Sequence, residues 1–246
     1  MPSFKAFAIG TYFTTEGAKQ ATALNVKPMQ ILTWVAKANR PNSPTTGNVA
    51  HPLHSTRGYT FLGSAQDAYA YASDIYARLW PTVAREFGLA GPTLLVPVPS
   101  SNLDYAAAHA RERFPSWEFA KALASRVKVA DYPMFVWAEK HVSRTAGGAG
   151  RVEELFASLR LIRPAPSTPH RILFVDDMMT HGAHLAAMHS HIPSAVGALC
   201  ISFAQMNDSP TPDACQPEFR HVTYHHGSAL GRGWGVSTSL AERLSV

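Results

Sequence analysis

The 246-residue sequence predicts an α/β fold: a doubly wound, mainly parallel sheet flanked by helices. Three observations carry that expectation. TLLVPVP (93–99) and AVGALCISFA (195–204) are short runs, apolar at nearly every position, and HRILFVDD (170–177) has four consecutive apolar residues ending in two carboxylates, as strands covered on both faces do. Helical patterns with one apolar face lie between them, and strands alternating with helices build right-handed βαβ units around a parallel sheet. Only 16% of the residues are charged, against about 25% in an average globular chain, so most of the chain must be turned inward.

FKAFAIGTYF (4–13) has the aromatic and β-branched content of a strand. MQILTWVAK (29–37) is a short apolar run of either type. From Asn39 to Gly63 the prolines and glycines Pro41, Pro44, Gly47, Pro52 and Gly58 mark a long loop that also holds His51 and His54. Ser64 and Asp67 have the spacing of a capping box, and Ala68, Ala72, Ile75, Leu79 and Val83 follow on one helical face. Pro81 should bend that helix and Gly88 should end it.

The strand over 93–99 must stop where Pro97 and Pro99 remove two ladder donors. Ser116 is expected to cap a second helix running to Val127, with Phe119, Ala120, Leu123, Ala124 and Val127 inward. PMFVWA (133–138) reads as a strand, 139–150 as a glycine-rich loop and 151–159 as a short helix. After the 170–177 strand, MMTHG should be a loop that becomes a helix near Ala183. One domain over 1–246 is expected, with its core at 64–205 and a C-terminal extension over 206–246.

The net charge is +5 and the pI about 9.3, yet no window holds the block of like charges expected of a nucleic-acid arm. That argues against nucleic acid and suits small phosphorylated anions. Cys200 and Cys215 are too few for a disulfide scaffold or zinc ribbon, and neither stands in a nucleophile context. No leader pattern and no long apolar span is visible, so a cytoplasmic setting without membrane contact is expected. Five of twelve histidines fall within 170–191. His184 and His191 could share a helix face, but no cysteine or carboxylate joins them, so no metal ligand set is assigned. His225-His226 and Gly231–Gly235 both read as loop.

Ligands of such folds bind beyond the carboxyl ends of the strands. Two edges qualify: Pro97-Val98-Pro99-Ser100-Ser101, and Asp176-Asp177 followed by Thr180-His181-Gly182-Ala183-His184. Adjacent carboxylates past a buried strand are costly unless they meet hydroxyls, a metal or cations. The turn after them runs into a helix, so backbone N–H groups and the dipole converge on an anion site, which Gly182 lets a ligand approach closely. Carboxylates for hydroxyls beside a phosphate nest suit a ribose 5-phosphate.

ILFVDDMMTHGAHL resembles the phosphoribosyl-pyrophosphate motif of type I phosphoribosyltransferases, commonly VLLVDDVxTTGAT. Within that superfamily the sequence is most similar to the competence-protein ComF family. LLVPVPSS resembles that family's VPVP strand and loop. Arg113-Phe114 with WEFAKALA (117–124) is similar to its RGFNQ segment and the helix ending in LAKALA, and SRTAGGAGRVEELFASL (143–159) to its RT…AF stretch. The resemblance covers about residues 93–205 in the family's order. It departs at two hydroxyl positions of TTGAT, which are His181 and His184 here, and in the absence of the family's N-terminal CxxC zinc ribbon.

The resemblance implies a phosphoribosyltransferase-like fold with a variable hood, here residues 1–63. It implies that Asp176 and Asp177 hold the ribose 2′- and 3′-hydroxyls, that Thr180, His181, Gly182, Ala183 and His184 cradle the 5′-phosphate, and that Pro99, Ser100 and Ser101 line the pyrophosphate. Arg111, Arg113 or Arg144 would neutralise the departing pyrophosphate. The implied ligand is phosphoribosyl pyrophosphate carrying Mg²⁺, the acceptor a nucleobase-like molecule, and a homodimer is compatible. The alternative is a non-catalytic phosphosugar- or nucleotide-binding regulatory module, for instance in DNA uptake or a defence operon, suggested by the two imidazoles.

Overall fold

The computed structural model describes residues 1–13, 47–49, 60–62, 64–100, 114–138, 152–164, 166–167, 170–205, 217–226 and 234–244. In chain order the elements are β1 (Ser3–Ala8), β2 (Thr11–Phe13), β3 (Gly47–Val49), β4 (Thr60–Leu62), α1 (Ala65–Glu86), β5 (Thr93–Pro97), α2 (Pro115–Val127) and β6 (Ala130–Asp131). Then come β7 (Phe135–Trp137), α3 (Val152–Ser158), β8 (Leu159–Leu161), β9 (Arg171–Met179), α4 (Ala183–His191), β10 (Gly197–Gln205), β11 (Glu218–His226) and β12 (Trp234–Arg243).

The central sheet has the order β12-β11-β1-β10-β9-β5-β6. Strands β1, β10, β9, β5 and β6 are parallel, and β11 and β12 add an antiparallel pair beside β1. The expected mixed α/β fold, mainly parallel and flanked by helices, is therefore what the chain forms. Four of its members, β1, β2, β11 and β12, lie outside the 64–205 core expected from sequence. Residues 3–13 supply β1 and β2, which run along β10 in one register, Ala8 opposite Cys200 and Thr11 opposite Phe203. His225 and His226, read as loop, belong to β11 and pair with Gly235 and Trp234 of β12.

Two cores follow from the two covered faces. On one, Ala68, Ala72, Ile75, Tyr76, Leu79 and Val83 of α1 and Phe119, Ala120, Leu123 and Ala124 of α2 bury against Phe7, Leu95, Leu173, Val175 and Leu199. On the other, Leu185, Ala186, Ala187 and Met188 of α4 meet Ala6, Ala8, Val96, Ile172, Phe174 and Cys200. Each large apolar side chain so buried contributes about 1.5–3 kcal/mol relative to exposure. Tyr76, fully buried, ties its helix to the sheet by donating to the Cys200 carbonyl at 2.6 Å, with the Phe7 carbonyl 3.1 Å away.

α1 starts as its spacing predicts: the Asp67 N–H donates to Ser64 Oγ at 3.1 Å. α2 does not. Its cap is Phe114 with Pro115 in the first turn, where a missing N–H costs nothing. Ser116 is inside the helix, and its hydroxyl donates instead to the Val98 carbonyl. PMFVWA does form a strand, but among the described residues β7 pairs only with β8, antiparallel, in a small sheet of its own. No described helix is long and apolar enough to cross a membrane.

Candidate functional site

Strand order locates the crevice. From β5 the chain passes through α2 to β6 on one side; from β9 it passes through α4 to β10 on the other. The helices leave to opposite faces. Between the carboxyl ends of β5 and β9 the winding reverses, which is where open α/β sheets leave room for a ligand. Both edges singled out from sequence, 97–100 and 176–184, arrive there.

The β5 side is a turn whose carbonyls are held from outside. Pro97 pairs with Val175, and the Val98 N–H donates to the Val175 carbonyl at 2.8 Å. Beyond it, the Val98 carbonyl accepts from Ser116 Oγ and the Pro99 carbonyl from Trp137 Nε1 at 3.0 Å. Two prolines in three residues leave the turn little to bond itself with, so donors from α2 and β7 supply the order. Pro99 is buried and Ser100 half-buried.

On the β9 side one expectation is corrected. The strand does not end at Asp177 with a loop from Met178; it continues to Met179, paired with β10 up to Phe203, and the connecting loop is only 180–182. β5 has stopped at Pro97, and along 176–178 the β9 backbone is bonded locally. The carboxylates do this. The Asp177 N–H donates to Asp176 Oδ1 and the Met178 N–H to Asp177 Oδ1, each at 2.9 Å.

Strand alternation places the pair on different faces. Asp176 is buried, opposite Cys200, on the α4 side with Ile172 and Phe174. Asp177 is half-buried and lies toward α1 and α2. Its charge reaches the Tyr69 hydroxyl, whose pKa is raised first by burial, then by Asp177 and Glu118. The Cys200 thiol is likewise pushed up by burial, then by Asp176 and Asp177, with Arg220 opposing. A thiol so held stays protonated and is no nucleophile.

The loop closes on Gly182, at φ 75°, a left-handed conformation that a side chain would strain. The backbone also passes close to β11: a Cβ there would sit 3.0 Å from Val222 Cγ1. Gly182 caps α4 without any side-chain acceptor, and the first intrahelical bond recorded at that end is Ala186 N–H to the Gly182 carbonyl at 2.8 Å. The preceding N–H groups at a helix start have no intrahelical partner. Thr180, Ala183 and His184 are half-buried and His181 is exposed.

Pro99 and Ser100 thus follow β5, and Asp176, Asp177 and Thr180–His184 lie on and after its neighbour β9, at the same end of the sheet, with the two aspartates on opposite faces. Ser101, Arg111, Arg113 and Arg144 lie outside the described residues. Sequence reasoning missed Trp137, fully buried, whose ring lies 5.3 Å from that of His184. His184 and His191 do share a face of α4, and that face meets aromatic rings of β7, His191 lying 6.0 Å from Phe135. Also missed was Glu218, buried in the same cross-strand row as Ala8, Cys200 and Asp176. It holds Arg220 at 2.6 Å and Arg243 at 3.4 Å, and the Arg220 guanidinium covers Phe203 at 4.7 Å.

The arrangement is a mixed α/β sheet with polar residues at its point of reversal. No protein-family model matches the chain. No curated protein matches it either. Among solved structures, an adenine phosphoribosyltransferase from Leishmania donovani is similar at 10% identity and a TM-score of 0.34, over 80% of this chain and 73% of that one.

Proposed function

We propose that the crevice binds phosphoribosyl pyrophosphate with Mg²⁺ and that the chain transfers the phosphoribosyl group to a nucleobase-like acceptor, releasing pyrophosphate. The observation that carries the reading is the meeting, at the reversal point, of the 97–100 turn with the 176–184 segment. These are the two pieces whose sequences resemble the phosphoribosyltransferase motifs.

In this reading the uncapped start of α4 and the Gly182 turn take the 5′-phosphate through backbone N–H groups. Asp176 and Asp177, fixed by their bonds to the following N–H groups, accept from ribose hydroxyls. The 99–100 turn, with the Val98 and Pro99 carbonyls already bonded, presents Ser100 toward the pyrophosphate. The chain's part is to hold the reacting carbon in line and compensate charge as the C1–O bond to pyrophosphate breaks. Carboxylate and hydroxyl oxygens are the hard donors Mg²⁺ accepts, and the ion, bound with the ligand, would supply charge neutralisation on the pyrophosphate.

Calorimetry with phosphoribosyl pyrophosphate and Mg²⁺ tests the reading. Replacing both aspartates (D176N with D177N) should weaken binding by about a hundredfold, the loss of two hydrogen bonds to charged groups. Equal affinity in the two proteins, or none in the wild type, overturns it. A non-catalytic binding module is favoured by one observation: His184, where the family motif has a hydroxyl, is packed on Trp137. The same samples separate the two, because the module binds without releasing pyrophosphate to any nucleobase.

A further inference from the structure

Trp137 is the side chain that touches both halves of the crevice. It stands on β7, in the small sheet outside the main one, yet it is fully buried. Its indole N–H donates to the Pro99 carbonyl at 3.0 Å, on the β5 side. Its ring lies 5.3 Å from the His184 imidazole, tilted by 54°, on the first turn of α4. β7 is itself braced. Trp137 pairs with Leu159, the Ala138 N–H donates to the Ser158 carbonyl at 2.7 Å, and the Ile162 N–H to the Met134 carbonyl at 2.8 Å.

Two loops that leave separate strands have no covalent reason to keep a fixed separation. One rigid ring bonded to the first and packed on the second gives them one. We propose that Trp137 is a positioning residue: it sets the distance between the 99–100 turn and the start of α4, and so selects ligands that carry an anionic group at each end. This rests on the proposed function, in which the phosphate lies at α4 and the pyrophosphate at the turn. The side chain touches neither; it acts through Pro99 and His184.

The role predicts a split that simple loss of packing does not produce. Trp137→Phe keeps a ring beside His184 and removes the N–H. Phosphoribosyl pyrophosphate with Mg²⁺, which spans both loops, should bind about five- to tenfold more weakly, the loss of one buried hydrogen bond. Inorganic phosphate, which needs only the α4 loop, should bind as in the wild type. Trp137→Leu removes the ring as well, and should in addition move the His184 ring resonances, assigned with His184→Ala. Equal weakening of both ligands in Trp137→Phe, or of neither, overturns the proposal. Absence of phosphoribosyl pyrophosphate binding in the wild type defeats the functional reading instead. The tie between the loops is then decided by the resonances, and a His184 signal unmoved in Trp137→Leu overturns it.

Discussion

On one face of the sheet, α1 and α2 lay 22 and 13 residues of helix; on the other, α4 has nine and shares the surface with the β7–β8 pair and the seven-residue α3. The first face closes itself with its own side chains. Ser64 caps α1, and Tyr76 bonds to the sheet backbone. The second begins its helix on a glycine with nothing to cap it, and its imidazoles lean on aromatic rings of a neighbouring small sheet. One face thus caps its long helix with a side chain, and the other starts its helix on a glycine without one.

A glycine on each face makes the contrast testable. Gly197, in β10, lies against the α1 side, where an added Cβ would overlap the Phe87 ring and come within 2.6 Å of the Lys5 carbonyl. Gly197→Ala should lower unfolding free energy by about 3 kcal/mol, the upper part of the overpacking range, because one of the obstacles is backbone. Ligand affinity of the folded fraction should be unchanged. Urea titration beside calorimetry checks this, and a stability change below about 0.5 kcal/mol would remove the close approach from the account.

Gly182→Ala should give the opposite pattern. Left-handed strain costs about 1–2 kcal/mol, and the contact with Val222 shifts the loop. Affinity for phosphoribosyl pyrophosphate with Mg²⁺ should fall about tenfold or more, the equivalent of that strain released by abandoning the bound geometry. Retained affinity would show that the α4 start is not the phosphate nest.

The smallest effect concerns acid. His189, buried on the α4 face, stacks on Phe4 at 4.7 Å and shares a 2.8 Å hydrogen bond with Tyr224 through Nδ1. Burial lowers its pKa below the ordinary 6.5, opposed by a bond to the Ala195 carbonyl. Because the folded protein binds the proton less readily than the unfolded chain, the stability from neutral His189 is full above pH 6.5 and declines as pH falls below it. Melting temperatures from pH 7.5 to 5 should show this decline in the wild type and a shallower one in His189→Gln. Parallel curves would exclude His189 as its source.

Much of this architecture is legible without coordinates, for identifiable reasons. The β5, β9 and β10 runs are apolar on both faces, and the α1 and α2 stripes repeat at helical spacing, so local pattern suffices. It fails where the decisive contact is remote. Ser116 has the chemistry of a cap, but Pro115 takes the first turn and the hydroxyl goes to Val98, eighteen residues back. Asp176 and Asp177 look like a strand end because charges seldom continue a buried strand; in the fold their carboxylates bond the next N–H groups and the strand runs on beside β10 to Met179. β12 is largely exposed and its Val236–Thr238–Leu240 alternation follows directly on the glycine-rich run read as loop, and β11 hides its Val222–Tyr224 alternation among histidines. Nothing near Trp137 in sequence announces Pro99 or His184.

The register of β1 has a bearing on how the molecule comes into being. Its neighbours are β10 and β11, and Lys5 faces Gly197, 192 positions further along the chain. During synthesis β1 therefore exists without either partner while α1, β5, α2 and β9 are added, an interval of roughly 10–40 s at 5–20 residues per second. Such distant pairings are slow to close, since chain entropy must be surrendered before the contacts repay it. The strand that completes the middle of the sheet is thus made well before its partners and is among the last to be housed, leaving Phe4 without its His189 contact in the nascent chain until α4 arrives.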